Sequence, residues 1–179
     1  MKLQDDAILL RLFTRDDVPA IVAACQDPEI PRWTSVPSPY AESDALRWLE
    51  SKDEEKLAVV DSASGELLGS IGLFPRGEGI AEVGYWVKRE ARGRGVATRA
   101  LELMARWIFA ADEELGRLEL RADGENRSCQ RVAEKAGFVR EGVLRSSLAL
   151  QGERRDVVMY SLVREDLTGP PRATTRVRA

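Results

Sequence analysis

Apolar and polar positions alternate over residues 7–13, with Ile8, Leu10 and Leu12 on one side and Leu9, Arg11 and Phe13 on the other. A period of two predicts a strand. Thr14-Arg15-Asp16-Asp17 then has the form of a capping box, and Val18, Ile21, Val22 and Cys25 follow at helical spacing, which predicts a helix. Residues 26–42 break both periods. Pro28, Pro31, Pro37 and Pro39 stand there with Trp33 and Tyr40, so the stretch is expected to be an irregular aromatic loop. Loops of that length without regular structure are often functional. Ala45, Leu46, Trp48 and Leu49 then predict a short helix over Ser43–Ser51.

The middle of the chain reads as strands. Leu57–Val60, a Ser-Ala-Ser-Gly turn at 62–65 and Leu67–Phe74 predict a hairpin. Gly77-Glu78-Gly79 turns the chain into a third strand, Ile80–Val87. After a glycine-rich turn, Val96, Ala97, Ala100, Leu101, Met104, Trp107, Ile108 and Ala111 mark a long amphipathic helix. Leu118–Arg121 is a short strand. Asn126 caps a further helix through Val132 and Ala136, and Gly137 stops it. Phe138–Leu148 and Arg155–Val163 close the chain as a hairpin around Gln151-Gly152. The expected order is β-α-α-β-β-β-α-β-α-β-β. That is an α+β fold on a mixed, mostly antiparallel sheet, with one parallel step after residue 87.

Composition narrows the chemistry. A chain of 179 residues suits one domain, here 1–167, with a basic tail at 168–179 that Gly169-Pro170-Pro171 cuts from the fold. The formal net charge of −3 argues against a nucleic-acid partner. There is no histidine, which excludes a His general base, a Ser-His-Asp triad and most catalytic zinc and haem ligand sets. Cys25 and Cys129 are too few for a disulfide scaffold or a Cys-rich metal site, so no metal is expected. No apolar run approaches the ~20 residues of a spanning helix. The acidic start at Asp5-Asp6 does not resemble a signal peptide, so the expectation is a cytoplasmic protein with no membrane partner. A homodimer is one assembly left open.

Charge is unevenly placed. Lys88, Arg89, Arg92 and Arg94 stand against the single acid Glu90 at the turn Arg92-Gly93-Arg94-Gly95-Val96-Ala97-Thr98. This turn joins a strand to a helix. A helix start offers unpaired N–H groups and the positive end of its dipole, and glycines let an anion approach them. Glycines and arginines together predict a phosphate or pyrophosphate site. The Gly-Lys-Ser/Thr ending of a Walker loop is missing, and Gly93-x-Gly95-x-x-Thr98 misses the third glycine of a dinucleotide fingerprint.

Arg92-x-x-Gly95-x-Ala97 resembles the Gln/Arg-x-x-Gly-x-Gly/Ala signature of the GNAT superfamily of N-acetyltransferases. Ala81-Glu82-Val83-Gly84-Tyr85-Trp86-Val87 is similar to the family's fourth strand. The run from Asn126 through Cys129, Val132-Ala133-Glu134-Lys135 to Gly137-Phe138 resembles its asparagine-led helix. Leu10-Arg11-Leu12, Asp27-Pro28-Glu29, Gly142-Val143-Leu144-Arg145 and Asp156–Leu162 resemble the branch that contains the ribosomal-protein N-terminal acetyltransferases. The resemblance spans about residues 8–166.

The resemblance implies transfer of acetyl from acetyl-CoA, as cosubstrate, to a primary amine of a protein N-terminus or a small molecule. It places the CoA pyrophosphate on Arg92, Gly93, Arg94, Gly95, Val96, Ala97 and Thr98. It places the pantetheine arm against Trp86, Val87 and Asn126, the last also a helix cap. Glu82 is the candidate base for the amine; the alternative is a carboxylate facing water. Many relatives carry a proton-donating tyrosine where this chain has Ala133, and the branch often has a serine where this chain has Cys129. The thiol is then a candidate donor to the leaving thiolate, or a small buried residue at a helix start. Trp33 and Tyr40 are candidates for the acceptor side, or else loop anchors. A non-catalytic CoA-binding regulatory module is the competing function.

Overall fold

The computed structural model describes residues 3–52 and 55–167. Its elements run β1 (Ile8–Leu12), α1 (Val18–Cys25), α2 (Glu29–Trp33), α3 (Glu42–Glu50), β2 (Glu55–Asp61), β3 (Leu67–Gly77), β4 (Ile80–Val87), α4 (Val96–Ala111), β5 (Arg117–Asp123), α5 (Arg127–Lys135), β6 (Val139–Leu150) and β7 (Glu153–Val163). The strands form one seven-stranded sheet in the order β1-β2-β3-β4-β5-β7-β6. Every neighbouring pair is antiparallel except β4 and β5, which α4 joins in parallel. The α+β reading and the single parallel step therefore hold. The basic stretch 168–179 lies outside the described residues.

One expectation fails. The proline-rich stretch 26–42 holds the helix α2. Pro31 is the third residue of that helix. A helix leaves the N–H groups of its first turn unpaired, so a proline there loses nothing. The Asp27 carboxylate accepts the Glu29 amide at 3.3 Å and starts the turn.

Strand alternation sends two sets of apolar side chains to opposite faces. On one face Leu73, Val83, Leu118, Leu120, Tyr160 and Leu162 pack with Leu101, Met104 and Phe109 of α4 and Ala133 of α5. On the other, Ala58, Val60 and Leu67 pack with Val18, Ile21 and Cys25 of α1, Ile30 of α2 and Ala45 of α3. That second layer covers the β1–β3 half and reaches Trp86. The β5, β7 and β6 portion of the same face carries Arg117, Glu119, Arg121 and Ser161 instead. Polar residues so placed are what a sheet face left without a helical cover requires. Among the described residues no helix is long and apolar enough to cross a membrane.

The end of β4 is held close to β3. Gly69 lies opposite Val87, and a Cβ on Gly69 would stand 2.3 Å from the Trp86 carbonyl oxygen. Gly69→Ala must therefore force the two strands apart. An overpacking loss of about 1–3 kcal/mol is expected, read as a lower urea midpoint at unchanged slope. An unchanged midpoint would show that the strands part without cost.

Candidate active site

The site begins where β4 and β5 separate. Their parallel ladder covers only Ile80–Glu82 against Arg117–Glu119. Beyond it, β4 stays with β3 as far as the Val87–Gly69 pair, and β5 stays with β7 as far as the Asp123–Val157 pair. Val83–Val87 and Leu120–Asp123 thus diverge as the arms of a V, and their facing edges do not pair with each other. Backbone N–H and C=O groups in such a gap need partners, which water or an amide-bearing ligand supplies. The arrangement follows from a register in which β4 and β5 share only three paired positions.

Glu82 sits at the vertex, in the last paired position, across from Glu119. By alternation it shares a face with Gly84 and Trp86, on the side that α4 and α5 do not cover. Its side chain is 19% exposed and pairs with Arg76, whose Nη2 and Nε donate to the same oxygen at 2.5 and 3.2 Å. Glu119 accepts from Arg117 Nε at 2.8 Å. Arg117 also grips Glu141 with both terminal nitrogens, at 2.8 and 2.5 Å, and the Ser161 hydroxyl donates to Glu141 at 2.7 Å. The Arg117 hydrogen bond is the main cause that holds the Glu141 carboxyl below its ordinary range. A row of paired acids and guanidiniums therefore floors the open face. Glu119 and Glu141 are tied to one arginine, while Glu82 is paired with the half-exposed Arg76.

The glycine-arginine turn follows the open end of the gap, after β4 ends at Val87. Gly93 and Gly95 both lie at positive φ, +74° and +80°, where only glycine sits without strain. Gly95 is the N-cap of α4, and the first backbone bond of the helix runs from Arg99 N–H to the Gly95 carbonyl. The amides of Val96, Ala97 and Thr98 are thereby left to other acceptors. A Cβ built on Gly93 or Gly95 meets no heavy atom within 4 Å, so the cradle stands open. These features fit a pyrophosphate.

The basic residues require a correction. The sequence presents four of them as free charge, but three are paired. Lys88 pairs with Glu66. Arg89 and Arg92 both pair with Asp27, at 3.0 and 2.6 Å. Arg92 also donates from Nε to the Val87 carbonyl at 3.1 Å. These contacts brace the turn against the end of β4. Arg94 is exposed and forms no salt bridge among the described residues, though its charge helps to hold the Asp61 carboxyl below its ordinary range after the hydrogen bonds from Ser64.

Asn126 performs its expected cap. Its side-chain oxygen accepts the Cys129 amide at 3.0 Å and fixes the first turn of α5. Cys129 is half-buried on that turn, and the Tyr85 hydroxyl reaches its thiol from β4. Burial pushes the Cys129 thiol up, against the opposing effect of Tyr85, so the thiol keeps its proton at neutral pH. Tyr85 is pushed up by burial as well. The two come from opposite arms of the V, since α5 follows β5. Cys25, by contrast, lies in the second core, where burial pushes its thiol up to about 12.

Trp33 and Tyr40 part company. Trp33 ends α2 half-exposed, donates from Nε1 to Glu29 at 3.1 Å and lies under Arg32, 4.6 Å from the ring centre. Tyr40 is only 7% exposed and packs in the second core, where burial raises its hydroxyl pKa. Of its two expected places, the acceptor side and a loop anchor, this burial accords with the anchor. Three further residues contact the candidate site residues or their surroundings: Arg76 on Glu82, Tyr85 on Cys129, and Gln151, whose side-chain amide donates to the Pro31 carbonyl at 2.6 Å. Arg76 was within reach of counting, because Phe74 faces Glu82 across the turn at 77–79. Nothing in the local sequence marks Gln151, whose partner is 120 residues away.

A mixed sheet split between its central strands, with a glycine cradle where one arm of the split runs into a helix, is the architecture of an acyl-CoA-dependent transferase. Residues 7–139 match the acetyltransferase (GNAT) domain family, and the chain belongs to that family. The "Putative ribosomal N-acetyltransferase YdaF" of Bacillus subtilis is 34% identical over 107 residues, which are 59% of this chain and 58% of that protein. The chain thus matches little more than half the length of that relative. A GNAT-family acetyltransferase of Bacillus anthracis shares the fold with a TM-score of 0.84 at 22% identity, over 92% of this chain and 99% of that one. The microcin C7 self-immunity acetyltransferase MccE, solved with acetyl-CoA and AMP, gives a TM-score of 0.79 at 19% identity, over 89% and 93%.

Proposed function

We propose that the protein transfers the acetyl group of acetyl-CoA to a primary amine, either a protein N-terminus or a small molecule, by direct attack in a ternary complex. The observation that carries the reading is the continuity of the site: an anion cradle at 93–98 lies at the open end of the gap whose vertex holds Glu82. In this reading the amides of the turn and Arg94 take the pyrophosphate. The pantetheine arm lies between the diverging strands beside Trp86, Val87 and Asn126, and its thioester comes toward the vertex.

The chemistry asks for two proton movements. The ammonium of the acceptor must lose a proton before its nitrogen attacks the carbonyl carbon. As the C–S bond breaks, the thiolate gains one. Glu82 is placed for the first, directly or through a water. Cys129, kept protonated by burial, is the candidate for the second; the same burial makes it a weaker acid than a free alkyl thiol, so its S–H serves as a hydrogen-bond donor to the departing sulfur, which takes its proton from solvent. A protein N-terminus is favoured among acceptors by the relative that carries a ribosomal name. Trp33 and the open row of ion pairs line the acceptor side.

Cys129→Ser is expected to retain most activity, because a hydroxyl still donates to a developing thiolate. Cys129→Ala is expected to lose on the order of 10-fold or less. A covalent acetyl-cysteine route would instead abolish turnover in both variants and leave an acetylated Cys129 in the parent protein, by mass spectrometry, when acceptor is withheld. Initial rates at varied acetyl-CoA and amine test the whole reading. Intersecting double-reciprocal lines are expected for a ternary complex, and parallel lines would contradict it.

A further inference from the structure

We infer that Asp27 is a positioning residue that joins the cofactor turn and the acceptor-side wall, so that CoA on the turn orders α2 and the tip of the β6–β7 hairpin. The inference rests on the reading of residues 93–98 as the CoA site. Asp27 stands just before α2, and its side chain is 8% exposed. One carboxylate oxygen accepts from Arg89 Nη2 at 3.0 Å and from the Glu29 amide at 3.3 Å. The other lies 2.6 Å from Arg92 Nη2. Arg92 in turn is fixed to the Val87 carbonyl and opens the turn at Gly93. One carboxylate thus touches the start of α2, the end of β4 through Arg92, and the segment between β4 and the cradle. Burial opposes its ionisation, but Arg89, the Glu29 amide and Arg92 outweigh that and hold Asp27 charged.

The far side of α2 has its own tether. The Pro31 carbonyl accepts from Gln151 at the hairpin tip, and the Gln26 side chain holds the Tyr40 carbonyl at 2.8 Å. Asp123 and Val157 are paired at the open end of the V, and the tip lies beyond them in the chain. The Gln151–Pro31 contact therefore joins the β6–β7 hairpin to α2, in the layer that covers the β1–β3 half and reaches Trp86. A helix of five residues has too few internal bonds to hold itself. Its place is set by buried Ile30 and Pro31 and by these polar ties. Fixing the turn with a bound anion fixes Arg92, then Asp27, then α2, then the tip. The acceptor wall is completed when the acetyl donor is in place.

Hydrogen exchange with CoA alone as the probe tests this without turnover. In the parent protein, CoA should slow exchange at 93–98 and also at the amides of Glu29–Thr34 and at 150–153, each by about 5-fold or more, the scale of a modest coupling between sites. Asp27→Asn should keep the CoA effect at 93–98 at saturating CoA and lose it at the other two segments. Gln151→Ala, a change at an exposed side chain, should keep it at Glu29–Thr34 and lose it at 150–153. A merely structural role for Asp27 would raise exchange equally with and without CoA. A CoA effect on α2 that persists in Asp27→Asn would overturn the inference, as would a parent protein protected at 93–98 alone. No protection at 93–98 in the parent would overturn the reading of the turn itself, and this inference with it.

Discussion

Gly95→Val is expected to weaken CoA binding on the order of 100-fold, about 3 kcal/mol, while the protein stays folded. Gly95 holds φ +80° and ψ 3° at the N-cap of α4. The left-handed region costs an L-residue roughly 1–2 kcal/mol, and a β-branched side chain is an outlier there. The turn escapes that strain by rotating, which swings the amides of Val96 and Ala97 away from a common point. The added methyls also enter the open side of the cradle, where a Cβ meets no protein atom and a phosphate would approach. Both effects act on the anion and leave the packed side of α4, with Ala100, Leu101 and Met104, untouched. Gly95→Ala adds one carbon and should fall between. Calorimetric titration with CoA measures the loss, with a thermal melt to show that the variant is folded. An unchanged affinity in a folded variant would remove the turn from the binding site.

Glu82→Gln is expected to cost about 10²–10⁴-fold in turnover near neutral pH. The substitution keeps the shape at the vertex and removes the basicity. Part of the loss should return at high pH, where the acceptor amine loses its proton to solvent. Stability should change little, because the ion pair that disappears has the half-exposed Arg76 as its partner, and such pairs contribute about 0–1 kcal/mol. That separation matters, since a fall in rate without a fall in stability assigns the effect to chemistry. Arg76→Gln serves as the complement. It leaves the carboxylate in place and frees it for an incoming ammonium, so it should retain far more activity than Glu82→Gln. Equal turnover of Glu82→Gln and parent across the pH range would return Glu82 to the role of a solvated carboxylate.

The parts of this molecule that sequence reveals are those whose cause is local. The strand β4, the cradle and α4 are legible together, because alternation gives way to two glycines at positive φ and then to helical spacing within a few residues. Asn126 is legible as a cap for the same reason, since its acceptor lies three residues on. α2 is not, because its prolines read as breakers unless their place in the first turn is known. The ionic arrangement is hidden more deeply. Arg89 and Arg92 count as free charge along the chain, and only the fold brings Asp27, more than 60 residues earlier, between them. The polar, proline-rich neighbours of Tyr40 leave its place open between acceptor side and loop anchor, and only the fold packs its ring in the core with Cys25 and Ala45. The V itself follows from a register, three paired positions and then divergence, that no single strand encodes.

The central claim is that this site performs acetyl transfer rather than holding CoA as a silent ligand. The buried Ala133, where many relatives carry a proton donor, makes the distinction concrete. The direct measurement is release of free CoA, followed with a thiol reagent, when acetyl-CoA is mixed with a panel of small primary amines and peptides with free N-termini. Release that depends on a particular amine, with the acetylated amine appearing in equal amount, is the predicted result. Tight binding of acetyl-CoA with no amine-dependent release across the panel would contradict it.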